Sequence, residues 1–202
     1  LTRDGAPVTD DESILFSNEY RPDPAVLEGG TALGGTKVLT GRDWTEEDTF
    51  TFTLEPTDAT ASAVADGVVQ ITESSATASA SGVDFAFGSV HFAKAGTYTF
   101  RITEDVPEGA QGGKLDGIVY DTHACDVTVV VGLDADNGRL AVESVTYDNG
   151  KGAVDNSKAV FENSYKSGID YGDAGGLSVS KTLNGRAMNA GEFGFTISGI
   201  DN

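Results

Sequence analysis

Apolar and polar residues alternate with a period of two along much of this chain. The alternation is clear at Phe50/Phe52/Leu54, at Tyr98/Phe100/Ile102 and at Val127/Val129/Val131, with mostly polar or small residues between. Successive side chains of a strand point to opposite faces, so this period predicts strands with one face buried and one solvated. Asn137-Gly138 and Asn149-Gly150 are dipeptides suited to type I′ hairpin turns, and Lys94-Ala95-Gly96 precedes a further strand. Thr57 to Ser81 is rich in Ala, Ser and Thr, and reads as a long connection with one short strand near Val68 to Thr72 and a helical turn. Many short strands without a sustained helical period predict an all-β fold, an immunoglobulin-like antiparallel β-sandwich.

The pattern also repeats. Ile14-Leu15-Phe16-Ser17-Asn18-Glu19-Tyr20 recurs as Ala159-Val160-Phe161-Glu162-Asn163-Ser164-Tyr165, and Lys37-Val38-Leu39-Thr40-Gly41-Arg42 as Lys181-Thr182-Leu183-Asn184-Gly185-Arg186, at offsets of 145 and 144 residues. Phe50-Thr51-Phe52-Thr53-Leu54 returns as Phe193-Gly194-Phe195-Thr196-Ile197. A fixed period of this kind predicts tandem modules. Residues 1–24 read as the end of one repeat plus linker, 25–166 as a complete sandwich, and 167–202 as a linker plus the first strands of the next. Pro and Gly in Arg21-Pro22-Asp23-Pro24 and in 167–176 suit spacers.

Within the complete module, three polar residues fall on faces where apolar ones belong. Lys37 shares a face with Leu33, Gly35 and Leu39, as Lys181 does with Leu177, Val179 and Leu183. Glu104 ends the inward set Tyr98, Phe100, Ile102, and Asn163 lies between Phe161 and Tyr165. Each would be costly to bury alone, so the three are expected near one another. Burial depresses a lysine's pKa and raises a glutamate's, which permits a neutral amine beside a protonated carboxyl. The amine could then attack the Asn163 carboxamide, with Glu104 shuttling protons to departing ammonia. A buried Lys–Glu ion pair with Asn163 as a neighbour fits the same pattern. Asp121, near the start of the Val127 strand, is the alternative acid. Lys94, Lys114, Lys151, Lys158 and Lys166 lie beside turn or linker residues and are expected in solvent.

Charge and the remaining motifs narrow the chemistry. The 202 residues carry 32 acidic against 13 basic side chains, a formal charge of −19, which disfavours nucleic acid and anionic lipid as partners. No apolar run approaches the roughly 18 residues of a membrane span, and any export signal or anchor is expected outside this chain. Cys125, the one cysteine, sits in an apolar run and reads as a small buried hydrophobe. Asp134-Ala135-Asp136-Asn137-Gly138 has part of a calcium loop's spacing but lacks the closing glutamate, so a hairpin turn is expected. His91 and His123 have no metal or triad spacing, and no cofactor is expected. Trp44 is expected to cap one end of the sandwich.

Lys37-Val38-Leu39-Thr40-Gly41-Arg42, Phe50 to Leu54, Gly96 to Glu104, Tyr120-Asp121-Thr122-His123 and Phe161 to Tyr165 occur in an order that resembles the Gram-positive pilin isopeptide-linkage domain of streptococcal backbone pilins. The resemblance implies a CnaB-type sandwich in which Lys37 bonds Asn163 with Glu104 as the acid/base. Asn18 and Lys181 are then the corresponding partners in the flanking partial repeats. It further implies a structural stalk module, not an enzyme on external substrates, at the bacterial cell surface, whose partners are neighbouring repeats of the same chain. The rival is an adhesive module that binds a host protein or glycan through loops 57–81 or 105–117. Cys125 departs from the family pattern, and no Leu-Pro-x-Thr-Gly sorting signal occurs in this chain.

Overall fold

The computed structural model describes residues 21–29, 33–150, 157–166 and 179–196, and the backbone of two short strands at 2–3 and 6–7. The chain divides into two units, Leu1–Lys166 and Ser167–Asn202. In the first, β1 (Thr2–Arg3) and β2 (Ala6–Pro7) make a small antiparallel ribbon. There follow β3 (Ala25–Leu27), β4 (Gly34–Thr40), β5 (Thr49–Pro56), α1 (Asp58–Ala65), β6 (Val69–Ile71), β7 (Ser75–Ser79), β8 (Asp84–Ala86) and β9 (Val90–Phe92). The remaining strands are β10 (Gly96–Glu104), β11 (Lys114–Leu115), β12 (Ile118–Val119), β13 (Ala124–Leu133), β14 (Leu140–Asp148) and β15 (Ala159–Tyr165).

Two five-stranded sheets dominate, in the orders β14-β13-β10-β5-β7 and β11-β12-β15-β4-β8, with a three-stranded sheet β3-β9-β6 beside them. Among the described residues all pairs are antiparallel except one. The first and last long strands of the second large sheet, β4 and β15, lie side by side and parallel, with Lys37 opposite Phe161 and Leu39 opposite Asn163. The sheets meet through aromatic side chains. Phe52 of β5 stacks on Phe85 of β8 with ring centroids 3.7 Å apart, and Phe161 of β15 lies 5.2 Å from Phe52. Strict alternation buries Cys125, Val127, Val129 and Val131 along β13. The fold is the expected immunoglobulin-like all-β sandwich.

Two local features differ from the pattern-based expectation. The Ala/Ser/Thr stretch holds α1 and β6, but also β7, which pairs with β5 and buries Ala76 and Ala78. Alanine fits against the neighbouring sheet yet carries little strand propensity, so the alternation there is muted. The β13–β14 connection is longer than a type I′ turn. Gly138 has φ +70° but Asn137 lacks the positive φ such a turn needs at both central residues. Asp134 organises the loop instead, accepting from the Asp136 backbone N–H and from Asn137 Nδ2. Asp134 and Asp136 thus belong to a hairpin.

In the second unit no strand is assigned among the described residues 179–196. Its local bonding nevertheless copies the first unit. Arg42 forks onto Asp48 and donates to the Asp43 carbonyl, while the Thr45 N–H also reaches Asp48. At the repeat offset, Arg186 forks onto Glu192 and donates to the Ala187 carbonyl, and the Asn189 N–H reaches Glu192. Among the described residues no helix is long and apolar enough to cross a membrane.

Candidate functional site

Lys37 is carried by β4, which is held on both sides by β15 and β8. Alternation turns Gly35, Lys37 and Leu39 inward, and Lys37 is only 1% exposed. Asn163 is turned into the same interior from β15 and is fully buried. Glu104 comes from the facing sheet, at the end of β10, where it pairs with Phe52 of β5. The sandwich therefore brings a lysine and an asparagine from adjacent parallel strands onto one glutamate opposite them.

Each oxygen of that glutamate takes one partner. Lys37 Nζ donates to Oε2 at 2.5 Å and Asn163 Nδ2 donates to Oε1 at 2.6 Å. The Phe50 and Phe52 rings wall the amine, with centroids 5.0 and 6.0 Å from Nζ. Burial pushes the Glu104 carboxyl above its usual range, and the Lys37 charge and the two hydrogen bonds only partly oppose this. An acid poised in this way can accept a proton on one oxygen and release one from the other.

Asp121, the alternative acid, stands on the other side of Asn163. Its backbone N–H donates to Asn163 Oδ1 at 2.7 Å. Its carboxylate accepts from the Glu162 N–H at 2.8 Å, and from the His123 N–H and Nδ1 at 3.1 and 2.6 Å. Burial acts to raise this carboxyl, but the Glu162 N–H and the two His123 donors outweigh it and bring it down to about 2. Asp121 is thus held ionised. The His123 ring lies over Phe161 at 4.5 Å, and its Nε2 is buried with no hydrogen-bond partner among the described residues. Sequence reasoning missed His123 and the Asp121 amide. Their one sequence trace is the Asp-x-His spacing, which lets a carboxylate bond the backbone two residues on.

The other candidates fall elsewhere. Asn18 lies outside the described residues, as does Lys151. Lys181 is exposed, with Nζ 4.9 Å from the Phe193 centroid, which repeats the placing of Lys37 over Phe50. Lys94, Lys114, Lys158 and Lys166 are exposed. Burial pushes the Cys125 thiol up to about 12, which leaves it unreactive. Trp44 is half-buried and meets Phe50 edge-on at 5.3 Å. Among the described residues no cluster of His, Cys, Asp or Glu could hold a metal ion.

Fold and site together define a β-sandwich domain with an amine, an acid and a carboxamide in contact between its sheets. The chain belongs to the family FctA, the Spy0128-like isopeptide containing domain, which matches residues 33–166. The family is the one its motifs resemble. Among solved structures it is similar to a major pilin from Streptococcus pyogenes, at 16% identity over 72% of this chain and 51% of that one, with a TM-score of 0.44. It is also similar to the T-13 major pilin protein of the same organism, at 23% identity over 72% of this chain and 55% of that one, with a TM-score of 0.44. The chain thus spans about half the length of the pilins it matches. A comparison with curated proteins finds no match.

Proposed function

We propose that residues 25–166 form a structural module of a pilin-like stalk, cross-linked by an amide that the module makes between Lys37 and Asn163. The observation that carries this reading is the division of Glu104 between the two partners, one oxygen on the nucleophile and the other on the leaving group. Lys37 Nζ, as the neutral amine, attacks Asn163 Cγ, and the C–Nδ2 bond breaks. A proton passes from Nζ to Oε2, a proton passes from Oε1 to Nδ2, and ammonia leaves. One neutral amide replaces an amine and a carboxamide, so no lysine that could ionise stays buried. Glu104 is not consumed.

The bond closes a loop between positions 126 residues apart, and by loop-entropy reasoning it contributes on the order of 5 kcal/mol. Unlike a disulfide, it withstands reduction. Residues 1–24 would be the end of a preceding repeat plus linker and 167–202 a linker plus the first strands of a following one, and the stalk belongs on the outside of a bacterial cell. The test is the intact mass of the purified chain, which should fall short of the sequence value by one ammonia. Glu104→Gln should restore the full mass while the sandwich still folds. An unshifted wild-type mass refutes the cross-link.

A further inference from the structure

We infer that the backbone N–H of Asp121 is a catalytic donor to the Asn163 carbonyl, and that the Asp121 carboxylate and His123 are the positioning groups that hold it there. The inference rests on the Lys37–Asn163 reaction and assigns Asp121 a role other than proton carrier.

The hydrogen bond of 2.7 Å from this N–H to Asn163 Oδ1 does two things. First, it settles which way the carboxamide faces. An N–H can bond only the oxygen, so Nδ2 is turned toward Glu104 Oε1, where the departing nitrogen must collect its proton. A flipped carboxamide would set two donors face to face at Asp121. Second, the donor lies where negative charge gathers when Nζ adds to Cγ and Oδ1 becomes an oxyanion. When that charge returns to reform the carbonyl, Nδ2 leaves as ammonia with the proton from Glu104. A fixed donor beside a buried carboxamide stabilises such charge strongly, because it need not reorient during the reaction.

The donor belongs to the segment between β12 and β13, and Asp121 itself lies outside any strand. Its own side chain anchors it. One carboxylate oxygen accepts the N–H of Glu162, the residue before Asn163 on β15, and so ties the segment to the strand that carries the substrate group. The other accepts both His123 donors, and the ring rests on Phe161, the residue opposite Lys37. Because the carboxylate is ionised and only accepts, Nδ1 carries the imidazole proton. An ionised carboxylate that accepts from these three donors suits an anchor better than a proton shuttle.

The experiment follows ammonia loss by intact mass after a full chain assembled from synthetic segments under denaturing conditions, and so never yet folded, is diluted from denaturant, at several pH values. Wild type is compared with Glu104→Gln, Asp121→Ala, Asp121→Asn and a chain in which the amide at 121 is replaced by an ester. The ester removes only the donor and should slow bond formation about a hundredfold without moving the pH profile. Asp121→Ala should be slow, and Asp121→Asn, which keeps an acceptor, should recover to within about tenfold of wild type. An ester chain reacting at the wild-type rate overturns the inference, and does so even if Asp121→Ala fails to fold. Asp121→Asn as inert as Glu104→Gln, or with a displaced pH profile, also overturns it by making the carboxyl the proton carrier. A wild-type chain that never loses ammonia refutes the underlying cross-link itself.

Discussion

Most buried polar groups of this sandwich have hydrogen-bond partners; His123 Nε2 is the exception among the described residues. Lys37 and Asn163 both donate to Glu104, Asn163 Oδ1 accepts from the Asp121 N–H, and Asn149 accepts from the Val160 N–H and donates to the Lys158 carbonyl. Asp48 is likewise partnered near the end of the sandwich. The two-pronged bond from Arg42 brings its carboxyl down to about 2, against burial and with help from Thr45. A carboxylate with a lowered folded-state pKa stabilises the protein above its unfolded pKa, and that stability is lost as pH falls through the folded value. Asp48 should therefore contribute about 2 kcal/mol above about pH 4, fading toward about pH 2. Denaturant melts of wild type and Asp48→Asn across this range should differ by about that amount at neutral pH and converge in acid. A difference that persists at the acid end would show that the charge is not its source.

Among the elements, the parallel pair β4–β15 matters most. It seats the amine-bearing and carboxamide-bearing strands side by side, and its closeness depends on Gly35. A Cβ built at Gly35 would lie 2.5 Å from the Ala159 carbonyl oxygen and 2.6 Å from the rim of the Phe85 ring. Backbone and a packed aromatic cannot both yield, so Gly35→Ala must push β4 from its neighbours. The variant should lose about 1–3 kcal/mol, and its ammonia loss should be slower because Lys37 no longer meets Glu104. Mass and melting measured on the same sample check both effects. Wild-type behaviour in each would mean that the strands have slack there. The same pairing has a mechanical consequence. Force entering along β4 and leaving along β15 loads them in shear, and an amide between Lys37 and Asn163 would carry that load past the sheet hydrogen bonds.

For the molecule as a whole, the cross-link would show as resistance to unfolding. A broad-specificity protease should cut the Pro- and Gly-rich linkers at 21–24 and 167–176 in any variant. The 25–166 core of wild type should then persist, whereas Glu104→Gln should be degraded at least about tenfold faster in mild denaturant, where cleavage follows the open population. Equal rates would mean that the bond, if formed, does not govern opening. The second unit adds a point about repeats. Residues 179–196 reproduce the Arg–carboxylate fork and the Lys-over-Phe contact of the first unit, with no strand among them. Bonds within a short segment need only that segment. A strand needs partners, and β4 has β15 and β8.

The sequence by itself determined the all-β class, the recurrence of its motifs, and the inward direction of Lys37, Glu104 and Asn163. Side-chain direction follows from a period of two and is written in each strand separately. Alternation could not show β7, where alanines mute the contrast, nor the longer β13–β14 loop, which depends on the backbone angle at Asn137. It also left Glu104 and Asp121 as rival acids, because both stand near strand ends. Tertiary structure alone decided that β4 lies parallel against β15, that Glu104 faces both of their polar residues, and that Asp121 presents its backbone N–H to the Asn163 carbonyl. Each of these depends on strand order and register between segments 42 to 126 residues apart. No local pattern encodes which distant face closes over which; the packing of one sheet on the other does.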